Sequence, residues 1–144
     1  MSIRKAILAD HPAICKLLEQ LGYPGAESYL LRNLEVMLSQ PLSTVLVYEL
    51  YGAVAGFIAF DFISQLTTRG DYARISCFAV NESARGNGIG NALEEHFTKL
   101  ATERKCDRIE VHCHLRRVDA HRFYERQGYE ESPKYFIKML SDEY

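Results

Sequence analysis

The stretch from Ile75 to Lys105 constrains this chain more than any other. It opens with an apolar run, Ile75-Ser76-Cys77-Phe78-Ala79-Val80, and passes through a polar loop, Asn81-Glu82-Ser83-Ala84. It then reaches Arg85-Gly86-Asn87-Gly88-Ile89-Gly90 and continues in a helical pattern. That order reads as strand, glycine-rich turn and helix. Glycines let the backbone take conformations closed to other residues and bring main-chain N–H groups close to a ligand. A helix beginning near Gly88 adds its unpaired donors and positive dipole end, so the junction suits a phosphate-bearing anion. Arg85 supplies a fork of charged donors at the mouth of the turn, where a pyrophosphate can accept bidentate bonds.

Glycine spacing alone leaves more than one reading, since a purely structural turn also uses glycines for tight turning. A nucleotide P-loop needs Gly-Lys-Ser/Thr after the turn, and here Gly90 is followed by Asn91 and Ala92, so that reading fails. A Rossmann dinucleotide site needs an acidic residue after a second strand, about 20 residues on. At that distance this chain is still in the helix ending near Lys105.

With its apolar strand before and its long amphipathic helix after, Arg85-x-x-Gly88-x-Gly90 resembles the acetyl-coenzyme A signature of the GNAT N-acetyltransferase superfamily. The resemblance implies that the backbone of Arg85, Gly86, Asn87, Gly88, Ile89 and Gly90 holds the coenzyme's pyrophosphate. It also implies that Phe78, Ala79 and Val80 pair their main chain with the pantetheine arm.

At 144 residues the chain reads as one domain with a genuine core. A net charge of −2 gives no general attraction to nucleic acid or to an anionic membrane, so neither is expected as a partner and any anion site must be local. Cys15, Cys77, Cys106 and Cys113 lie in separate elements with no Cys-x-x-Cys pair, which points to reduced thiols in a cytoplasmic protein. No stretch approaches the roughly 20 apolar residues of a membrane span. Asp10, His11 and Lys16 interrupt the N-terminal segment where a signal peptide needs an unbroken apolar core.

In chain order, Ser2 to Ile7 reads as a strand, and Asp10 as the N-cap of a helix with Pro12 in its first turn, Ile14, Leu17, Leu18 and Leu21 inward, and Gly22 as its stop. A second helix is expected from Glu27 to Ser39 with Leu30, Leu31, Leu34, Met37 and Leu38 inward. Ser43 to Leu50 and Ala53 to Leu66 form a hairpin about Tyr51-Gly52, and Asp71 to Val80 continues the meander. After the helix from Gly88 to Lys105, Arg108 to His114 reads as a strand, which demands a right-handed crossover and a parallel pair. Asp119 caps a short helix ending at Gly128, and Lys134 to Leu140 is a final strand. This order matches the GNAT fold, an α/β (α+β) architecture whose mixed central sheet of six to seven strands is flanked by about four helices.

The second chemical constellation runs from Asp119 to Tyr129. By residue pattern alone it is an amphipathic helix whose aromatics pack inward, and Phe123 is read so. Tyr124 resembles the GNAT helix tyrosine beside the coenzyme's sulfur, a general acid that protonates the departing thiolate without carrying charge into an apolar groove. The resemblance also counts Arg117 and Phe123 among the coenzyme contacts. An aliphatic amine with a pKa near about 10 must lose a proton before it attacks. Family members commonly place a carboxylate on the strand before the loop, whereas this chain has Cys77 there and no acid between Tyr72 and Val80. His112 and His114, alternating on one strand face, are candidate bases, with Asp61 and Asp71 as further candidates. A metal site from His112, Cys113, His114 and His121 is disfavoured because strand neighbours point to opposite faces, and no metal is expected.

The run from Arg116 to Tyr124, continuing to Gly128-Tyr129-Glu130 and Ser132, is similar to aminoalkylphosphonate N-acetyltransferase-like members of the family. The resemblance implies direct acetyl transfer from acetyl-CoA to the primary amine of a small molecule, with an aminoalkylphosphonate or similar anionic amine as one acceptor. Alternatives are acetylation of a protein N-terminus or lysine, and an acetyl-CoA-binding regulatory module with little turnover. Edge strands of small sheets often pair across a dimer, which leaves a homodimer open.

Overall fold

The computed structural model describes residues 2–112, 118–132 and 135–140. Its elements in order are β1 (Ser2–Lys5), α1 (His11–Leu21), α2 (Leu30–Ser39), β2 (Ser43–Leu50), β3 (Ala53–Ile63), β4 (Tyr72–Val80), α3 (Ile89–Glu103), β5 (Arg108–Val111) and α4 (Val118–Arg126). Short 3-10 turns precede α1, α2 and α3. The chain divides into two compact units, Met1–His112 and Cys113–Tyr144.

In the first unit the strands lie in the order β1-β2-β3-β4-β5. All neighbours are antiparallel except β4 and β5, which run parallel. The hairpin between β2 and β3 turns on Tyr51 and Gly52, both at positive φ (53° and 77°), the geometry that matches strand twist across a two-residue loop. One sheet face packs Val45, Val47, Phe57, Ala59 and Ala79 against Ile14 and Leu17 of α1 and Leu34 of α2. On the other face Phe97 of α3 meets Phe60 with ring centroids 4.4 Å apart. Burying each such side chain contributes about 1.5–3 kcal/mol, so α3 is fixed over the strands by Ile89, Leu93, Phe97 and Ala101, all buried.

Several sequence expectations are corrected. The sheet has five strands among the described residues, not six to seven. Residues 135–140 carry no strand assignment, and Phe136 and Leu140 stand 94% and 90% exposed; β propensity depends on context and does not by itself make a strand. The strand expected over Arg108 to His114 ends at Val111. The helix expected from Glu27 begins at Leu30 after a 3-10 turn, Ala26–Ser28. Leu34 is buried and Leu30 and Met37 are half-buried, whereas Leu31 and Leu38 are exposed.

Asp10 precedes α1 but makes no side-chain cap to it. Its carboxylate turns back, accepting from Arg4 at 2.8 and 2.9 Å and from the Ile7 N–H at 2.8 Å, and Arg4 also reaches Glu49 at 2.8 Å. The Arg4 guanidinium, against the cost of burial, holds the Asp10 carboxyl below its ordinary range.

In the second unit α4 ends in a closed C-terminal motif. Tyr129 N–H donates to Tyr124 C=O at 3.0 Å and Gly128 N–H to Glu125 C=O at 3.0 Å, with Gly128 at φ 92°. That pattern closes orphan carbonyls and brings the flanking side chains together: the Tyr124 and Tyr129 rings lie 5.2 Å apart.

Candidate active site

The turn after β4 is built by its own polar side chains. Asn81 N–H donates to Ala55 C=O at 2.8 Å, and the Asn81 side chain accepts from the Ser83 N–H and hydroxyl at 3.0 and 2.9 Å. The Asn87 amide donates to Ala84 C=O at 2.9 Å. From α1, Gln20 Oε1 accepts the Glu82 N–H at 3.0 Å. Gly86 and Gly88 then take φ 87° and 76°, and a Cβ on either would meet nothing within 4 Å, so glycine is needed for backbone freedom rather than for room.

Gly88 starts α3 without a side-chain cap. The Ala92 N–H donates to Gly88 C=O at 2.9 Å, and the N–H groups of Ile89, Gly90 and Asn91, ahead of it in the first turn, have no intrahelical acceptor. Residues 85–88 are exposed. Backbone donors, a dipole end and the Arg85 guanidinium therefore share one accessible corner. An anion fits there.

Two features not foreseen from sequence position this corner. Gly56 pairs with Val80, and a Cβ there would come within 3.1 Å of Ala79 O and 3.2 Å of Ile89 Cγ2. This glycine lets β3, β4 and the start of α3 approach closely. Glycine inside an apolar strand run, Ala53-Val54-Ala55-Gly56, was the available signal. The second is a difference in ladder length: among the described residues β5 pairs with β4 from Tyr72/Arg108 to Ile75/Val111, while β3 accompanies β4 up to Gly56/Val80. Phe78 and Val80 are half-buried and Ala79 is buried.

The remaining candidates fall as follows. His112 is exposed just beyond β5. His114 and Arg117 lie outside the described residues. Tyr124 and Phe123 are half-buried on α4, their rings edge to face at 5.4 Å. Asp71 precedes β4, at the opposite end from the loop, and pairs with Arg104 at 3.4 Å. Asp61 accepts a hydrogen bond from the Ser43 hydroxyl. Cys77 packs half-buried against the α1–α2 core, and burial raises the thiol pKa of Cys15 and Cys106. Among the described residues no three His, Cys, Asp or Glu side chains group as a metal site, and no helix is long and apolar enough to cross a membrane.

Residues 10–129 match the family described as Acetyltransferase (GNAT) family. An aminoalkylphosphonate N-acetyltransferase of Salmonella typhimurium is 32% identical over 89 residues, covering 62% of this chain and 58% of that protein. The match thus spans less than two thirds of that relative. A glucosamine-6-phosphate N-acetyltransferase structure from Arabidopsis thaliana superposes with a TM-score of 0.83 at 20% identity, covering 97% of this chain and 98% of that one. The structure of AAC(6')-Iy in complex with the bisubstrate analogue CoA-S-monomethyl-acetylneamine gives 0.80 at 16% identity, with 97% of each chain covered. At these identities the likeness is one of fold.

Proposed function

The chain belongs to the GNAT acetyltransferase family, and from that premise we propose that it moves the acetyl group of acetyl-CoA to the primary amine of a small molecule, directly, in a ternary complex. The observation that carries this reading is the accessible turn at the carboxyl end of β4, where Gly86 and Gly88 at positive φ and the uncapped start of α3 present main-chain donors beside Arg85. Backbone N–H groups of residues 86–90 and the Arg85 guanidinium hold the coenzyme's diphosphate. Main-chain groups of Phe78, Ala79 and Val80, beyond the last β4–β5 pair among the described residues, take the pantetheine arm. Arg117 and Phe123 are further coenzyme contacts.

The amine nitrogen attacks the thioester carbonyl, a C–N bond forms, and the C–S bond breaks. Tyr124 gives its phenolic proton to the departing thiolate, and a base removes the proton from the amine. His112 and His114 are the candidates for that base, since neutral imidazole accepts a proton near pH 7. An aminoalkylphosphonate or similar anionic amine is the first acceptor to assay, on the strength of the Salmonella relative. The chain is read as one domain, a reading supported by a family match that runs from residue 10 to residue 129 through both units. The reading carries a cytoplasmic enzyme with it.

The Tyr124→Phe variant tests the acid role. It should bind acetyl-CoA as the parent does while kcat falls about 100-fold. A variant as active as the parent would reject the role. A parent that binds acetyl-CoA and turns over no amine would instead make the chain a coenzyme-binding module, the alternative that Cys77 in place of a strand carboxylate favours.

A further inference from the structure

At the opposite end of β4 from the glycine turn, four polar side chains stand in register across four strands. Ser43 pairs with Asp61, Asp61 with Arg74, and Arg74 with Glu110. Cross-strand partners share a face, and strand neighbours point to opposite faces. Phe60 meets α3, so the row lies on the α1–α2 face, one step beyond the apolar row Val45, Ala59 and Cys77.

The row is charged in the order acid, base, acid. The Ser43 hydroxyl donates to Asp61 Oδ1, and Arg74 Nη2 donates to Glu110 Oε1 at 2.7 Å. That is the guanidinium's one hydrogen bond among the described residues; its Nε is buried and has no partner. Among the described residues no acceptor meets that N–H, and the guanidinium keeps further donors beyond its bond to Glu110. The Arg74 side chain is 37% exposed and Glu110 25%, so the row is within reach of a ligand and partly desolvated.

Its position matters as much as its charge. The Arg74–Glu110 pair is one rung from the last rung of the β4–β5 ladder among the described residues, Ile75/Val111. Six residues separate Arg74 from Val80, about 20 Å at ~3.3 Å per residue. An extended pantetheine arm is of comparable length, so an arm running back from the turn ends near the row.

We propose that this row is the acceptor site and that it selects a zwitterion, an amine carrying a phosphonate, phosphate or carboxylate a short alkyl chain away. The acid takes the unused donors of Arg74, while the ammonium sits on Asp61 or Glu110. Neighbouring strands are about 4.8 Å apart, a spacing that suits a two-carbon link between the charges. The inference rests on the acetyl-transfer reading for its direction, yet the binding it names is measurable without turnover.

Calorimetric titration with 2-aminoethylphosphonate as the probe, with and without CoA, tests it, using ethylamine and ethylphosphonate as single-charge controls. The parent should bind the zwitterion at least about ten-fold more tightly than either control, the worth of one charge-assisted hydrogen bond. Arg74→Gln should reduce the zwitterion to the level of ethylamine, Arg74→Lys should restore part of the difference, and Asp61→Asn should move it toward ethylphosphonate. Equal binding of all three probes by the parent, no binding of any, or a full zwitterion advantage in both Arg74→Gln and Asp61→Asn would overturn the proposal. Zwitterion binding with no acetyl-CoA affinity would leave the acceptor site standing and defeat the transferase reading instead.

Discussion

Two strand-to-helix junctions in this chain differ in whether a carboxylate of the chain itself lies at them. Between β1 and α1 the chain supplies its own anion: Asp10 is 7% exposed and takes two bonds from Arg4 and one from the Ile7 N–H. Between β4 and α3 it supplies none. Gly88 brings no side-chain cap, Arg85 through Gly88 are exposed, and the donors of the first helical turn face outward. The contrast is between an arginine already paired with a carboxylate of the chain and an arginine that stands exposed. One junction is closed by a carboxylate six residues from its arginine, and the other is left for an anion from outside.

The largest effect should follow from opening the closed junction. Asp10→Ala removes three accepted bonds and strands the part-buried Arg4, and should cost about 3 kcal/mol in urea unfolding. The Asp10 carboxyl is held below its ordinary 3.8, so its folded form binds protons less readily than its unfolded form. This stabilisation is therefore complete above about pH 4 and lost as the pH falls through the lower folded value. A parent whose stability is flat from pH 5 to pH 2 would contradict it.

Arg85→Ala probes the open junction and should do the reverse. We expect acetyl-CoA affinity to fall about ten-fold, one charge-assisted interaction, with the thermal midpoint unchanged. An unaltered dissociation constant would take Arg85 out of the site. Gly88→Ala should have a small effect on stability, about 1 kcal/mol, because φ 76° is strained for alanine although the added Cβ meets nothing. Any larger loss of coenzyme affinity than of stability would mark the backbone at this residue as a ligand contact.

The same two junctions explain how far the amino-acid sequence could be read. The open one was legible because its determinants are local: an apolar strand, closely spaced glycines and a helical period within thirty residues. The hairpin at Tyr51-Gly52 was legible for the same reason. Asp10 stands at the N-cap position of α1 as its place before Pro12 suggests, but its carboxylate does not cap, because the partner that turns it around, Arg4, lies on another element. The role of Gly56 depends on Ala79 and Ile89, which sequence separates and the sheet brings together. Leu31 and Leu38 are exposed because at about 100° per residue they lie to the side of the face that Leu30, Leu34 and Met37 share. The row from Ser43 to Glu110 depends on register across four strands, with a bulge between Ala59 and Phe60 that no local pattern announces. Tyr124 was found by family resemblance, and the Schellman closure at Gly128 was legible only as a helix stop.

The central claim is that main-chain donors after β4 grip a diphosphate. Amide chemical shifts of the 15N-labelled protein test it most directly, titrated in parallel with acetyl-CoA and with pantetheine, which lacks the diphosphate. The account predicts that the amides of Gly86, Gly88, Ile89 and Gly90 shift with acetyl-CoA and stay in place with pantetheine, while those of Ile7 and His11 move with neither. Loop amides that stay in place at saturating acetyl-CoA, or that respond equally to pantetheine, would contradict it.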